Sequence, residues 1–431
     1  MLLALHAPDG LFSLPVNLLF AAAVVLLLAA AVVQLRRQQD HRLVPVMGIM
    51  AAFVFAGQMV NFPIAAGTTG HLLGGVLAAV LLGPWAATLV LAAVVFFQAL
   101  LGDGGLITVG PNIFNMGVTG TFFGYYIYRA ALAGAVHKPA RVVAAAFFAA
   151  WSAVVLASIV VSLQLAASGT AALNHVLLPL VGVHALIGVG EAVITAFVVA
   201  FVLKTRPELI YDRRPGPEQF RPGRATVAFG LSAALCVALF LSLLPSLWDH
   251  PDGLEFVGAE HGFVAEESLL ADDGTLLTLP AYPLGVRLGT VANRVTAIHQ
   301  YNLLSAGVTR GDVIERIAGQ PIITLADAEA ALEDAADQPL QVSIRRADQS
   351  RDLTLPPVST TLPGASEPMV ALLPDYTVPG IDGLISTSLA GAIGTIVMFL
   401  ASFAVGRLLV RPGRLARALA QQSALPDHNS T

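Results

Sequence analysis

The sequence predicts an all-α polytopic membrane protein, with about seven plus two transmembrane helices and a small extracytoplasmic α+β domain. Its 431 residues are 56% hydrophobic and only 12% charged, and the mean hydropathy is +0.75, which is far more apolar than an ordinary globular domain. Apolar runs recur that are long enough to cross about 30 Å of hydrocarbon. Arginine and lysine cluster where these runs end, as expected of cytoplasmic loops.

Seven apolar runs fill the N-terminal half. The predicted spans cover residues 16–35, 44–60, 64–82, 85–101, 113–128, 142–165 and 177–203. The third and fourth spans are separated at Gly83 and Pro84, because proline cannot continue a helix. Arg36 and Arg37 follow the first run and no basic residue precedes it, so this run is predicted to be a retained span with the N-terminus outside, not a signal peptide.

Two further spans are predicted in the C-terminal half, over residues 225–244 and 384–409, which places the C-terminus in the cytoplasm. The extracytoplasmic stretch between them is long enough for a small domain. Alternating strands over 286–291 and 340–344, and a charged helix over 325–335, predict a soluble fold there.

Composition and motifs exclude several functions. The net charge of −5 argues against nucleic-acid binding. Cys236 is the single cysteine, so metal chemistry must rest on nitrogen and oxygen donors. The chain has no phosphate-binding GxxxxGK[ST] loop and no HExxH helix motif. It is therefore predicted to be neither an ATPase nor an intramembrane metalloprotease.

Polar residues near the outer ends of the spans are the unusual feature, because polar groups in a membrane are costly unless they serve a pathway or a partner. They are Asn61, His71, Asn112, Asn115, His184 and Glu191. Imidazole suits nickel, cobalt, copper or zinc, and the lack of thiolate or carboxylate clusters disfavours copper(I), calcium and magnesium. On spacing alone, a hydrogen-bonded packing role explains each histidine more simply than a metal site.

A family resemblance changes this balance. The stretches that carry it are HAPDGLFSLP (6–15), LVPVMG (43–48), FAGQMVNFPI (55–64), GTTGHLLGG (67–75), NIFNMG (112–117) and GVHALIGVGE (182–191). Together they resemble the CbiM/NikM family, the substrate-specific membrane components of energy-coupling-factor cobalt and nickel importers. The resemblance implies uptake of Co²⁺ or Ni²⁺, for cobalamin or nickel enzymes, across the bacterial cytoplasmic membrane.

The same resemblance implies the partners and the ligands. Energy would come from a CbiQ/NikQ-like coupling subunit and a CbiO/NikO-like ATPase, and no permanent cofactor is implied. Family members hold the metal through the N-terminal amine, the backbone nitrogen and imidazole of the histidine after the initiator methionine, and a histidine in GHLLGG. Carried over, these histidines are His6 and His71, supported by the polar residues named above.

The position before His6 departs from the family pattern, because Met1 to Ala4 precede Leu5. With Met1 as the terminus, the amine cannot chelate a metal together with His6. We hypothesise that Leu5 is the true start, encoded by TTG or CTG and read as methionine.

A second resemblance lies in the C-terminal half. PDGLE (251–255) and LPDYTVPG (373–380) resemble a NikN-type, two-span accessory subunit. The insert between them resembles a PDZ domain in YPLGVR (282–287), SAGVTRGDVI (305–314) and IAGQPI (317–322). The implied carboxylate-binding loop is Leu284, Gly285 and Val286, and PDZ folds capture peptides by strand addition. The insert either binds a partner's tail or braces the long loop.

The predicted organisation follows from these matches. It assigns 1–204 to the metal-binding membrane domain, 205–224 to a cytoplasmic linker, 225–271 to the first NikN-like span and PDGLE segment, 272–363 to the PDZ-like insert and 364–431 to the second span and tail. The alternative function is a membrane scaffold or regulator that acts through the PDZ-like domain. It leaves the motifs around His71 and Asn112 unexplained. The choice between cobalt and nickel as the substrate stays open, and the PDGLE segment favours nickel.

Overall fold

The computed structural model describes residues 6–38, 40, 41, 43–59, 61–65, 68–213, 223–242, 254, 257, 286–288, 295–298, 313–321, 340–346, 349–355 and 384–410. The α-helices are α1 (Leu14–Gln38), α2 (Leu43–Gln58), α3 (Gly75–Leu82), α4 (Pro84–Leu101), α5 (Val109–Asn112), α6 (Gly124–Leu132), α7 (Pro139–Ser168), α8 (Leu173–Thr205), α9 (Arg224–Ser242) and α10 (Leu384–Leu409). A π-helical stretch, Ile113–Phe123, joins α5 to α6, and short 3₁₀ turns at Pro207–Leu209 and Tyr211–Arg213 follow α8.

Several helices are long and apolar enough to cross a bilayer. Within the described residues there are five of them, namely Leu14–Gln38, Pro84–Leu101, Pro139–Ser168, Leu173–Thr205 and Ser388–Leu409. The apolar helices Leu43–Gln58 and Ala225–Leu239 are shorter. The predicted mostly helical, polytopic architecture is confirmed, whereas the predicted number of crossings stays a prediction.

The helices divide into central and peripheral ones. Every residue of α3 is buried, and two thirds of α4 is buried, whereas α1 buries only about a fifth of its most apolar window. Because lipid is as apolar as leucine, close packing of small residues holds such helices together. A Cβ atom on Gly75 would lie 2.8 Å from the Cα atom of Gly120, so α3 and the π-helical stretch meet nearly backbone to backbone.

The predicted third span, residues 64–82, is wrong as a continuous helix. Strands β1 (Asn61–Ala65) and β2 (Thr68–His71) form an antiparallel hairpin, and only α3 is helical. The hairpin pairs Asn61 with His71, which satisfies backbone groups that a membrane cannot hydrate. Gly74 then takes a φ of 72°, a left-handed conformation that interrupts a helix before α3 and that glycine adopts without strain.

The predicted break at Gly83 and Pro84 is confirmed. α3 ends at Leu82, Gly83 has a φ of 80°, and Pro84 opens α4. A Cβ atom at Gly83 would lie 2.6 Å from the ring of Tyr211. The segment after α8 therefore packs against this turn.

The C-terminal helices pack on the N-terminal bundle. Helix α10 contacts α2 and α9 along its length, and α9 also contacts α2. Phe399 of α10 shares a buried cluster with Ala52 of α2 and Ala234 of α9. The two halves of the chain are thus joined through α2.

Most described residues of the long loop between α9 and α10 form strands. They are β3 (Val286–Leu288), β4 (Val295–Ile298), β5 (Val313–Ile317), β6 (Gln320–Pro321), β7 (Leu340–Arg346) and β8 (Gln349–Leu355). β3 pairs with β4, and the other four form an antiparallel sheet in the order β6-β5-β7-β8. Hydrogen bonds from Ser350 and Arg345 tie Glu315 of β5 to this sheet and lower the pKa of its carboxyl group.

The predicted strands over 286–291 and 340–344 are present in part, because β3 ends at Leu288 and β7 covers the second range. Val286 begins β3, whereas Leu284, Gly285 and the predicted helix 325–335 lie outside the described residues. The PDZ-like assignment stays a prediction.

Candidate metal centre

Two histidines from distant parts of the sequence meet in the interior. The rings of His6 and His71 are stacked, with centroids 5.8 Å apart and an angle of 8° between their planes. Both side chains are almost completely buried, at 0% and 1% exposure. The predicted pairing of the N-terminal histidine with the GHLLGG histidine is therefore present in the fold.

His6 is oriented by two residues that sequence reasoning did not single out. Its Nε2 lies 3.2 Å from the side-chain oxygen of Gln98 on α4, which acts as an acceptor when Nε2 carries the proton. Oδ1 of Asp103 lies 3.0 Å from His6 Nδ1, a close electrostatic contact that lacks the angle of a hydrogen bond. When Nε2 carries the proton, Nδ1 is the ring nitrogen that can bind a metal, and the Asp103 carboxylate lies beside it.

The backbone next to His6 is held firmly. Asn112 accepts a hydrogen bond from the Ala7 N–H at 2.9 Å and donates one to the Ala7 carbonyl at 3.0 Å. The Thr108 hydroxyl and the Gly105 N–H also donate to that carbonyl. Buried backbone groups that are fully paired stay in place. Asn112 therefore positions the N-terminal segment, and its supporting role at a metal site stays a prediction.

Asp9 holds the loop that faces this segment. Its carboxylate accepts hydrogen bonds from the backbone N–H groups of Leu106, Ile107 and Thr108, at 2.8–3.1 Å. Several N–H groups on one carboxylate make strong charge-assisted bonds. The segment that carries His6 and the loop that carries Asp103 are thereby locked together.

The turn that follows His71 is held from two sides. Glu191 of α8 accepts hydrogen bonds from the N–H groups of Leu73 at 2.8 Å and Gly74 at 2.9 Å. Gln58, the last residue of α2, donates to the Leu73 carbonyl at 2.9 Å. The carboxylate also sits at the N-terminus of α3, where negative charge is favourable. Glu191 thus anchors the turn and does not reach the histidine rings through these contacts.

The ring nitrogen atoms of His71 and His184 have similar surroundings. Each places Nδ1 against a backbone carbonyl, that of Leu72 at 3.2 Å and that of Leu180 at 2.8 Å. Each leaves Nε2 buried with no hydrogen-bond partner among the described residues. His184 lies near enough to interact electrostatically with His71, so it borders the site.

The other predicted supporting residues lie elsewhere or are not described in full. Asn115 forms a reciprocal pair of amide hydrogen bonds with Gln164 of α7, at 2.6 and 3.0 Å, so it joins two helices and does not touch the histidines through those bonds. Asn61 pairs with His71 across the hairpin through the backbone, and its side chain lies outside the described part of the chain.

Side chains alone do not complete a metal site in the described part of the chain. No group of three or more His, Cys, Asp or Glu residues is placed to hold an ion there. Two imidazoles provide only two ligands, so four-coordination would need further donors, such as backbone nitrogen atoms beside His6. Residues 1–5 lie outside the described residues.

Sequence reasoning missed Gln98, Asp103, Asp9 and Gln58. Gln98 lies inside an apolar helix and Asp103 just after its end. A polar side chain inside a span was the available signal for Gln98, because such groups are rarely tolerated without a role.

Comparison with known proteins identifies the family. Residues 6–209 match the family described as "Cobalt uptake substrate-specific transmembrane region" (CbiM), and residues 332–411 match the PDGLE domain. A putative fused nickel transport protein NikMN of Archaeoglobus fulgidus is 35% identical over 274 residues, covering 62% of this chain and 88% of the relative. The chain belongs to the CbiM family.

A second fused relative and a solved structure are also similar to this chain. A probable fused nickel transport protein LarMN of Lactiplantibacillus plantarum is 31% identical over 331 residues, covering 70% of this chain and 97% of the relative. A crystal structure of a truncated transition metal transporter is 36% identical, with a TM-score of 0.41, and covers 46% of this chain and 98% of that one.

These matches confirm the predicted fusion of a CbiM/NikM region with a NikN-like PDGLE unit. The chain is a multi-pass membrane component of cobalt or nickel uptake, and its relatives are named as metal transport proteins. The PDGLE match begins within the segment predicted as the PDZ-like insert. The domain boundaries within the C-terminal half therefore stay a prediction.

Proposed function

We propose that this chain is the substrate-binding component of an energy-coupling-factor importer that takes up Co²⁺ or Ni²⁺. The observation that carries the proposal is the buried, stacked pair of His6 and His71 inside the region that matches the CbiM family. Borderline nitrogen donors in a dry site favour late transition metals over calcium and magnesium.

The proposed ligands are four nitrogen atoms. They are the amine of residue 5 as the N-terminus, the backbone nitrogen and Nδ1 of His6, and one ring nitrogen of His71. Nδ1 is the ring nitrogen closer to the backbone, so it can close a chelate with the His6 backbone nitrogen. Four such donors in a plane suit nickel(II), and the fused nickel-transport relatives also favour nickel as the substrate.

Transport needs partners for its energy. The proposed partners are a CbiQ/NikQ-like coupling subunit and a CbiO/NikO-like ATPase in the bacterial cytoplasmic membrane, since the sequence contains no phosphate-binding loop of its own. In the proposed topology the N-terminus and the PDZ-like insert face outward and the C-terminus faces the cytoplasm, in agreement with the basic residues after each inward crossing. The insert would bind a C-terminal peptide or brace the loop.

The proposal is tested by metal binding to the purified chain that begins with methionine at position 5, in detergent. Equilibrium dialysis at pH 7.5 should show one tightly bound Ni²⁺ or Co²⁺ per chain, and no comparable retention of Mg²⁺ or Ca²⁺. Equal retention of all four ions, or of none, would refute it.

Metal binding should weaken as pH falls. Imidazole and amine groups have ordinary pKa values of about 6.5 and 7.7–8.0, and both must lose protons to bind a metal. Bound metal therefore releases protons, and affinity rises with pH. We expect the dissociation constant for Ni²⁺ to increase by more than tenfold for each pH unit between about 7 and 5.5, because the amine and the His6 backbone amide must each release a proton when the metal binds. Calorimetry in buffers of different ionisation enthalpy would count the released protons, and an unchanged affinity across this range would contradict an all-nitrogen site.

Glu191→Gln should weaken metal binding without removing a ligand. An amide offers one acceptor oxygen where the carboxylate offers two, so one of the N–H groups of Leu73 and Gly74 loses its partner, at a cost of about 1–3 kcal/mol. The turn after His71 would loosen, and we expect the affinity for Ni²⁺ to fall by about tenfold. Glu208→Gln, in the 3₁₀ turn after α8, is the control and should bind like the wild type.

A further inference from the structure

Helix α10 of the C-terminal unit lies against α2 with glycine on either side of the contact. A Cβ atom at Gly394 of α10 would lie 2.3 Å from Cε1 and Cζ of Phe55 on α2. In return, a Cβ atom at Gly48 of α2 would lie 3.0 Å from ring carbons of Phe399 on α10. Each aromatic ring thus fills the space left by a missing side chain on the other helix.

The contact extends along the whole of α2. A Cβ atom at Gly391 would lie 3.0 Å from Cε of Met59, just after the end of α2, and one at Gly406 would lie 3.3 Å from Val44 at its start. Interlocked packing of this kind transmits displacement, because close-packed atoms cannot overlap. A shift of α10 must therefore shift α2 or open a gap.

The same end of α2 touches the turn that follows His71. Val54, the neighbour of Phe55, has its Cγ2 atom 2.9 Å from where a Cβ of Gly74 would lie. Gln58 donates a hydrogen bond of 2.9 Å to the Leu73 carbonyl. Two consecutive residues of α2 therefore contact different parts of the molecule. Phe55 contacts α10, and Val54 contacts the turn after His71.

We propose that α10 is a brace for the metal site, which sets the position of His71 through α2. The C-terminal unit then contributes to metal affinity from within the bundle without supplying a ligand. This inference rests on the proposed function, because it assumes that His71 binds the transported metal. A ligand displaced by a fraction of an ångström loses much of its affinity, so the brace predicts an effect on metal binding from a residue that touches no metal ligand.

The test is Gly394→Ala in the chain that begins with methionine at position 5 and keeps the whole C-terminal unit, with the dissociation constant for Ni²⁺ measured in detergent. The new methyl group collides with the Phe55 ring, and we expect affinity to fall at least fivefold, with altered ligand-field absorption of bound Ni²⁺. Gly394→Ala combined with Phe55→Leu removes the collision and should restore most of the affinity. Gly182→Ala on α8, where a Cβ atom would meet nothing within 4 Å, is the matched control.

The outcomes separate the brace from the proposed function. If the wild-type chain binds neither Ni²⁺ nor Co²⁺, the proposed function fails. If the wild type binds and Gly394→Ala binds as tightly as Gly182→Ala, the brace is overturned. Should Gly394→Ala not fold, Gly391→Ala presses only on the flexible end of Met59, and we expect a smaller loss of about twofold; an unchanged dissociation constant would also overturn the brace.

Discussion

Replacement of His71 by alanine is expected to abolish high-affinity binding of Ni²⁺ and Co²⁺. The buried ring of His71 stacks on that of His6, and within the described residues no group of three or more His, Cys, Asp or Glu side chains could hold the ion in its place. Loss of one of four nitrogen donors should raise the dissociation constant by at least about 100-fold, since even partners of ligands are worth 10–100-fold.

This loss should be separable from a folding defect. A ligand present at about 100 times its dissociation constant stabilises the folded state by about 2.7 kcal/mol, so Ni²⁺ should raise the melting temperature of the wild type and not that of His71→Ala. His137→Ala replaces an exposed histidine after α6 and should keep the full nickel-dependent shift. Retention of that shift in His71→Ala would refute the assigned site.

A chain that begins with methionine at position 5 is expected to bind nickel far more tightly than one that begins at Met1. Only the shorter chain places a free amine next to His6, where the amine, the backbone nitrogen and the ring can chelate one ion. Asn112, Thr108 and Gly105 hold the Ala7 backbone on the other side of His6, so an N-terminal extension cannot be accommodated by sliding the segment. We expect the two dissociation constants to differ by at least about 100-fold.

The control for this comparison is the shorter chain with an acetylated N-terminus, which has the same residues and lacks only the basic amine. It should bind as weakly as the longer chain, and its bound Ni²⁺ should lose the absorption of a planar nitrogen site. Equal affinity of all three chains would show that the amine is not a ligand, and mass spectrometry of the natural N-terminus would test the start residue directly.

The general architecture was predictable because the composition of a segment and the length of its apolar runs can be read locally from the sequence. Apolar runs and the basic residues that follow them located the described long helices to within a few residues, and Pro84 marked the boundary between α3 and α4. The segment 64–71 was predicted wrongly as part of a span. Its apolar residues fit a helix by composition, and only pairing with a neighbouring strand reveals that its backbone is satisfied as a hairpin.

The candidate site was likewise predicted in part from the sequence, and the rest needed the structure. The family motifs pointed to His6, His71 and Asn112, and the fold brings all three to one place. The roles of Asn115 and Glu191 needed the structure, because a sequence position does not show which partner a polar side chain meets. Asn115 pairs with Gln164, and Glu191 anchors the turn after His71.

By itself, the sequence determined that this protein is a helical membrane component, and it predicted a metal site built from nitrogen donors, since hydropathy, the single cysteine and the motif histidines are all properties of the linear chain. Only the tertiary structure showed that Gln98 and Asp103 contact the His6 ring. It also showed that Glu191 and Gln58 form hydrogen bonds with the turn after His71, and that α10 packs on α2. These contacts join residues far apart in the sequence, and they depend on which helix faces are buried together, which no local pattern specifies.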